Sequence, residues 1–238
     1  MVRTMRALAR DLCPPLLWRA LASARGRLAP RHLPDQQNGQ DLELYWDEEM
    51  AAVLERWGEG TTWTEIQLLM AERRGRALDI ACGTGKVMAL LREQAALELH
   101  GCDISDMLIA KAVARGINAT RLLICDATKL PYQNEEFDYS YSIGSFEHFT
   151  VDGIERVLAE AARVTKTASF HMVPTARSGR DEGWLKTYQS FYNCSEEWWF
   201  QRFKRYFPVV GVINSRWEDR ISVGKWFLCS KSTQVPTG

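Results

Sequence analysis

Residues 78–91 read LDIACGTGKVMALL. An apolar run ending at Ala81 meets a helical pattern that starts at Lys86, and two glycines, Gly83 and Gly85, occupy the turn between them. Such strand-to-helix turns let backbone N–H groups approach phosphates, dinucleotides or other nucleoside cofactors. The neighbouring residues separate these ligands. A phosphate loop needs Gly, four residues, then Gly-Lys-Ser/Thr, but Val87 follows Lys86 and the first glycine position holds Ile80. A dinucleotide fingerprint continues to a small residue at position 88, where close helix packing demands it, and Met88 stands there. Asp79 repels a pyrophosphate and suits a ligand that carries a cationic amine.

Outward from this turn the pattern alternates. RALDIA, LELHGCD, RLLICDA, FDYSYSIG and ASFHMVP read as strands, separated by helices such as SDMLIAKAVARG, capped by Ser105 and stopped by Gly116. This alternation predicts a doubly wound parallel sheet. VVGVINSRW and ISVGKWFLC form a last pair, and residues 218–220 are too short a link for a parallel crossover, so this pair is antiparallel. Asp79, Asp103 and Asp126 end three consecutive strands at the carboxyl edge, where open α/β sheets bind ligands. Asp103 can accept hydrogen bonds from both hydroxyls of a ribose, and Asp126 beside Ala127 can accept from an exocyclic amine.

The flanking segments divide the chain into residues 1–34, 35–75 and 76–238. Residues 1–34 hold seven arginines against one acid, Asp11, and a net charge of +6 that the rest of a net-neutral chain balances. This basic amphipathic segment reads as a peripheral membrane contact, as a helix packed on its own domain, or more weakly as a transit peptide. Residues 35–75 form a helical cap, with Thr62 and Glu65 as a capping box. Ten aromatic residues between Trp184 and Phe207 read as a helical insertion at about 183–207.

Zero net charge gives no general electrostatic capture of nucleic acid, so none is expected as a partner. The six cysteines form no metal-binding spacing; Cys82, Cys102 and Cys125 read as small buried thiols at strand ends, as suits a reducing cytoplasm. No apolar run is long enough to span a bilayer.

Taken in order, LDIACGTGK, GCDIS, CDATKLPYQNEEFDYSYS and SIGSFEHF resemble the class I S-adenosylmethionine-dependent methyltransferases, type 11-like, over Tyr45 to Pro174. The resemblance implies a Rossmann-like α/β fold: a doubly wound seven-stranded sheet, mostly parallel with an antiparallel last strand, preceded by N-terminal helices. It implies S-adenosylmethionine as cofactor. Asp79, Ala81, Gly83 and Gly85 would then shape the methionine side, Asp103 would hold the ribose, and Asp126 with Ala127 would read adenine. Ile104 and Met107 would pack on the adenine ring or be plain core, and Ser142 would join the cofactor site. Tyr45 or Trp46 would close the pocket or belong to the core.

Glu147 and His148 are the catalytic candidates, because the loop after the fourth strand faces the transferred methyl group in that family. His148 would take a proton from an acceptor hydroxyl, or the pair would only order the loop. His171 reads as a satisfied core histidine. Tyr139-Ser140-Tyr141-Ser142 lacks the Asn/Asp-Pro-Pro-Tyr/Phe signature of enzymes that methylate base amino groups. The leading segment is similar to those of bacterial surface-polysaccharide methyltransferases, so the expected acceptor is a small-molecule or saccharide hydroxyl. The competing readings are a non-catalytic scaffold and, on weaker grounds, a nicotinamide-dependent oxidoreductase.

Overall fold

The computed structural model describes residues 48–93, 96–186 and 190–232. The expected roles of residues 1–34 and of Tyr45 and Trp46 lie outside these. In chain order the elements are α1 (Glu48–Leu54), α2 (Thr62–Met70), β1 (Gly75–Ile80), α3 (Lys86–Leu91), β2 (Leu97–Asp103), α4 (Asp106–Ala114) and β3 (Leu122–Ile124). They continue with β4 (Phe137–Ile143), α5 (Val151–Val164), β5 (Thr165–Ala176), β6 (Gly183–Leu185), β7 (Phe191–Asn193), α6 (Glu196–Tyr206), β8 (Val209–Glu218) and β9 (Ser222–Ser230). No helix among the described residues is long and apolar enough to cross a membrane.

Seven strands form one sheet in the order β3-β2-β1-β4-β5-β9-β8. β1 to β5 pair in parallel, and β9 runs antiparallel between β5 and β8, as the short final connection requires. Strand order reverses between β1 and β4, which opens a crevice at their carboxyl ends. Helices cover both faces. One core sets Leu78 and Ile80 of β1 against Ile154, Val157 and Leu158 of α5 and Trp199 and Phe203 of α6. The other sets Ala77 against Ile66, Met70, Met88 and Ile109. Alternate β1 side chains thus feed opposite layers, as the two-residue period of a strand demands.

Helix α4 starts where expected, with the Ser105 hydroxyl accepting from the Leu108 N–H at 3.3 Å, and Gly116 follows it at φ 89°. Met88 does not hold α3 away from the sheet. It is fully buried because Gly101 of β2 leaves it room: a Cβ there would lie 2.6 Å from the Met88 sulfur.

Two sequence expectations are corrected. Thr62 and Glu65 form no capping box: Thr61 precedes α2 without a side-chain cap. The Glu65 carboxylate instead accepts from the Ser215 hydroxyl (2.6 Å), the Arg216 N–H (2.6 Å) and the Trp226 indole (2.7 Å), three donors that outweigh one helix-end N–H. The aromatic segment is also only half helical. Its first part is the hairpin β6–β7, in which Trp184 and Tyr192 face each other across the strands with ring centroids 4.8 Å apart. Aromatic residues stabilise such cross-strand pairs, and among the described residues of the segment only the stretch after the Ser195 cap is helix.

Between β4, β5 and the end of α5 runs a sealed chain of polar side chains. Thr165 donates to the Ala161 carbonyl, so its oxygen is free to accept from Ser140, which in turn accepts from Ser169. Ser169 must then accept from His171 Nε2–H, and Ser142 donates to Nδ1. Every hydrogen has one taker. Burial pushes the His171 pKa down to about 3, so the ring stays neutral, the satisfied core histidine that the sequence implies.

Candidate active site

The turn after β1 follows directly from its residues. Ala81, Gly83 and Gly85 have φ of 61°, 53° and 68°, three left-handed positions in five residues. Glycine adopts these freely, whereas Ala81 carries strain of about 1 kcal/mol. At Gly85 a Cβ would also lie 2.8 Å from the Ala112 Cβ, so this glycine lets α3 and α4 meet. Asp103, at the end of β2, ties the turn down. Its two oxygens accept from the Gly83 N–H and the Ser105 N–H, each at 2.9 Å.

Asp79 is paired in register with Tyr141 of β4 and is 3% exposed. Its Oδ2 and the Tyr141 hydroxyl are both buried, and neither has a hydrogen-bond partner among the described residues. Burial pushes the Asp79 pKa well above the carboxylate range; the nearby Tyr141 hydroxyl opposes the shift and the Asp103 charge adds to it. The Asp103 pKa is raised by burial too, against the pull of its backbone donors. A buried acceptor without a donor is costly, and it marks a place where a ligand supplies one.

These groups line a cleft of about 960 Å³, counting its open mouth. Its floor is the switch point between β1 and β4. Asp79, Ala81, Gly83, Asp103, Ile104, Ala127 and His148, all expected from the sequence, line it. Cys82 and Cys125 line it as well.

Other expected residues stand back from the cleft. Gly85 works in the helix crossing, and Met107 does not line the cleft, whereas Ile104 and Leu108 do. Asp126 does not line the cleft: its Oδ1 accepts from the Thr128 N–H at 2.8 Å, which leaves Cys125 and Ala127 facing inward. Ser142 points to His171, on the face of β4 opposite Tyr141, and so belongs to the sealed chain. Glu147 lies beneath His148, 2% exposed.

The N-terminal layer roofs the cleft with Met50, Leu54, Trp57 and Trp63. The two tryptophans escaped the sequence reading. A signal for Trp57 lay in Gly144 after β4, at φ 62°, where a Cβ would sit 2.6 Å from the Trp57 ring. Arg115, directly after α4, holds the roof to the turn, with Nε donating to the Thr84 carbonyl at 3.0 Å and Nη2 to Glu55. Lys111 pairs with Glu48 at 2.8 Å beside it. Lys86, the first residue of α3, also lines the cleft, its ammonium 5.3 Å from the Trp63 ring centroid.

At the far end, the turn Phe146–His148 brings His148 under the hairpin. His148 Nδ1 lies 2.9 Å from the Ser190 carbonyl oxygen. A carbonyl only accepts, so Nδ1 carries the proton and Nε2 is bare in the neutral ring. Burial pushes the His148 pKa down to about 4 and that of Glu147 up to about 8. At neutral pH both are uncharged, with Glu147 Oε1 3.7 Å from Nε2. The site therefore offers a bare imidazole nitrogen on His148 and an unpartnered carboxyl oxygen on Asp79.

Comparison with known proteins agrees with this geometry. A family model for the methyltransferase domain matches residues 77–168. Among similar proteins, the probable tRNA methyltransferase 9B of Homo sapiens is 34% identical over 105 residues, 43% of this chain and 22% of that protein. The demethylmenaquinone methyltransferase of Thermotoga maritima is 32% identical over 113 residues, 46% of this chain and 48% of that protein. The chain thus spans less than half the length of either curated relative. In fold it matches the 1,6-didemethyltoxoflavin-N1-methyltransferase of Burkholderia thailandensis with a TM-score of 0.64, 15% identity, and coverage of 87% of this chain and 93% of that one. The methyltransferase-domain match thus spans the stretch from β1 to the start of β5, the part of the sheet that carries the glycine turn and the cleft.

Proposed function

We propose that the protein binds S-adenosylmethionine in this cleft and transfers its methyl group to a hydroxyl of a small molecule, with His148 as general base. The cofactor supplies a methyl group already activated on a sulfonium. The residues fit it: the unpartnered Asp79 Oδ2 suits an ammonium, Asp103 keeps a second lone pair on each oxygen for a ribose, and Ile104 and Ala127 offer apolar surface to a base. The observation that carries the acceptor reading is the bare Nε2 of His148 at the cleft wall. Ser190 holds the other nitrogen, fixes the ring and favours the imidazolium once a proton arrives. Trp57 and Trp63 exclude water from the reacting end.

A saccharide is the narrower acceptor suggested by the leading segment. An RNA acceptor is a second reading, favoured by the similar proteins named for tRNA. The neutral overall charge speaks for the small molecule. Incubation with methyl-labelled cofactor and parallel pools of nucleotide sugars, phenols, polar alcohols and tRNA tests both. Label in a hydroxyl ether, lost in His148→Ala, is the expected result; label only in tRNA overturns the small-molecule reading.

A further inference from the structure

Three thiols cluster where β1, β2 and β3 end, and the proposed methyl transfer uses none of them. Cys102 of β2 is fully buried, whereas Cys125, directly after β3, is half-buried and lines the cleft. Cys102 pairs in register with Leu123, so Cys125, two residues on, comes to the same face of the sheet, and both join the core that α5 and α6 cover. The Cys125 N–H donates to the Asp103 carbonyl at 3.0 Å, which pins its backbone beside the residue that follows Cys102. A sealed thiol thus lies against one that a molecule in the cleft can reach. The two side chains hydrogen-bond; this keeps Cys102 protonated and draws the Cys125 pKa down, against burial and the charges of Asp126 and Asp103. The titratable neighbours stay neutral: burial pushes up the Tyr132 hydroxyl and the Cys82 thiol, which faces the other core.

We propose that Cys125 is a covalent modification site, whose sulfur, held by the Cys102 thiol, forms a mixed disulfide with a small amine-bearing disulfide that enters the cleft. Cys125 loses its proton and its sulfur attacks one sulfur of the disulfide RSSR. The S–S bond breaks, and the departing RS⁻ takes up the proton and leaves as RSH. Cys125 is oxidised to Cys125–S–S–R, and the other half of RSSR is reduced to the thiol. Cys102 acts as a positioning donor and keeps its own proton. Asp103 and Asp126 act on this sulfur by their charge, so they favour a disulfide that carries amines over one that carries carboxylates. Cys125 lines the cleft together with Ile104 and Ala127, so the adduct fills the wall offered to the cofactor's base and the two exclude each other. Only this exclusion rests on the proposed function.

Cystamine, the disulfide of an aminothiol, is the probe, and peptide mass spectrometry of the full chain reads each cysteine separately. Cys125 should gain the adduct about tenfold or more faster than Cys82, Cys102, Cys194 and Cys229. The dianionic 3,3′-dithiodipropionate should react roughly three- to tenfold more slowly than cystamine. The pH midpoint of the Cys125 reaction should rise by about one pH unit in Cys102→Ala and stay unchanged in Cys102→Ser, whose hydroxyl still donates. S-adenosylhomocysteine should protect Cys125, and the modified protein should lose that ligand and regain it on reduction. Labelling of Cys125 no faster than of Cys229, equal midpoints in the wild type and Cys102→Ala, or a Cys102–Cys125 bridge in place of the adduct overturns the site. Should Cys102→Ala fail to fold, the selectivity of the wild type decides alone. Retention of S-adenosylhomocysteine by the modified protein overturns the exclusion. Selective labelling of a protein that never binds S-adenosylhomocysteine overturns the cofactor reading and leaves the thiol site standing.

Discussion

His171 is fully buried and His148 half-buried, and both are neutral at physiological pH, but their surroundings are built on different terms. Around His171 every hydrogen finds a single acceptor, from Ser142 through Ser169, Ser140 and Thr165 to the Ala161 carbonyl. Around the cleft the same strand, β4, leaves the Tyr141 hydroxyl without a partner, Asp79 Oδ2 lacks one beside it, and His148 uses one nitrogen of two. Polar burial alone therefore does not mark function; incomplete satisfaction does. The sealed chain stabilises the pairing of β4 and β5, whereas the cleft keeps bonding capacity for a ligand.

The sharpest way to break this contrast is to exchange the histidines' fates. His148→Ala should lower methyl-transfer turnover by about 10²- to 10⁴-fold, the usual worth of a general base, while S-adenosylhomocysteine affinity and melting temperature stay near wild type. Unchanged turnover would reduce His148 to an organiser of its loop. His171→Leu should instead cost about 2–4 kcal/mol in urea unfolding, because the Ser142 and Ser169 hydroxyls lose their partner in a dry interior. Its acid sensitivity should shift as well. The His171 pKa is about 3 folded and about 6.5 unfolded, so its contribution is complete above pH 6.5 and shrinks as pH falls toward 3. The Leu variant should lose that part of the acid slope.

Glu147 gives a smaller and opposite pH effect. Its folded pKa of about 8 lies above the ordinary carboxylate value, so its contribution is complete below about pH 4.3 and is lost as pH rises through 8. Glu147→Gln should be more stable than wild type above pH 8, by on the order of 2 kcal/mol, in parallel denaturation curves. Activity adds a second reading of the same group. With a His148 pKa of about 4, turnover should hold steady from pH 5 to 7 rather than fall near 6.5. Ionised Glu147, 3.7 Å from Nε2, would make the imidazole more basic, so turnover should rise near pH 8 in the wild type and not in Glu147→Gln.

How much of this was legible in the sequence depends on contact distance along the chain. The alternation of strands and helices, the Ser105 cap and the acids at the ends of β1 and β2 are local, and periodicity and spacing expose them. The Ser190 carbonyl that sets the His148 tautomer lies 42 residues away, and the donors that claim Glu65 lie 150 or more away. No spacing rule reaches them. Asp126 shows a different limit: its place in the order of strand ends was read correctly, but a local Asx turn to Thr128 directs the side chain elsewhere. The hairpin β6–β7 was hidden because aromatic residues serve strands and helix faces alike.

The glycine turn supplies the smallest and most local test. Ala81 holds φ 61° with a Cβ, next to two glycines that hold similar angles without one. Relief of left-handed strain in Ala81→Gly is worth about 1–2 kcal/mol, and the greater freedom of glycine in the unfolded chain returns about 0.5–1 of it. A net gain below about 1 kcal/mol should appear in chemical denaturation. Loss of stability would mean that the Ala81 methyl, which lines the cleft, packs well enough to outweigh its own strain. The cofactor distinguishes these outcomes, since an alanine retained for ligand contact predicts a tighter S-adenosylhomocysteine complex in the wild type than in the more stable variant. Strain at this position would then be a cost that the fold bears for its cleft, as the orphaned carboxyl of Asp79 is two residues before it.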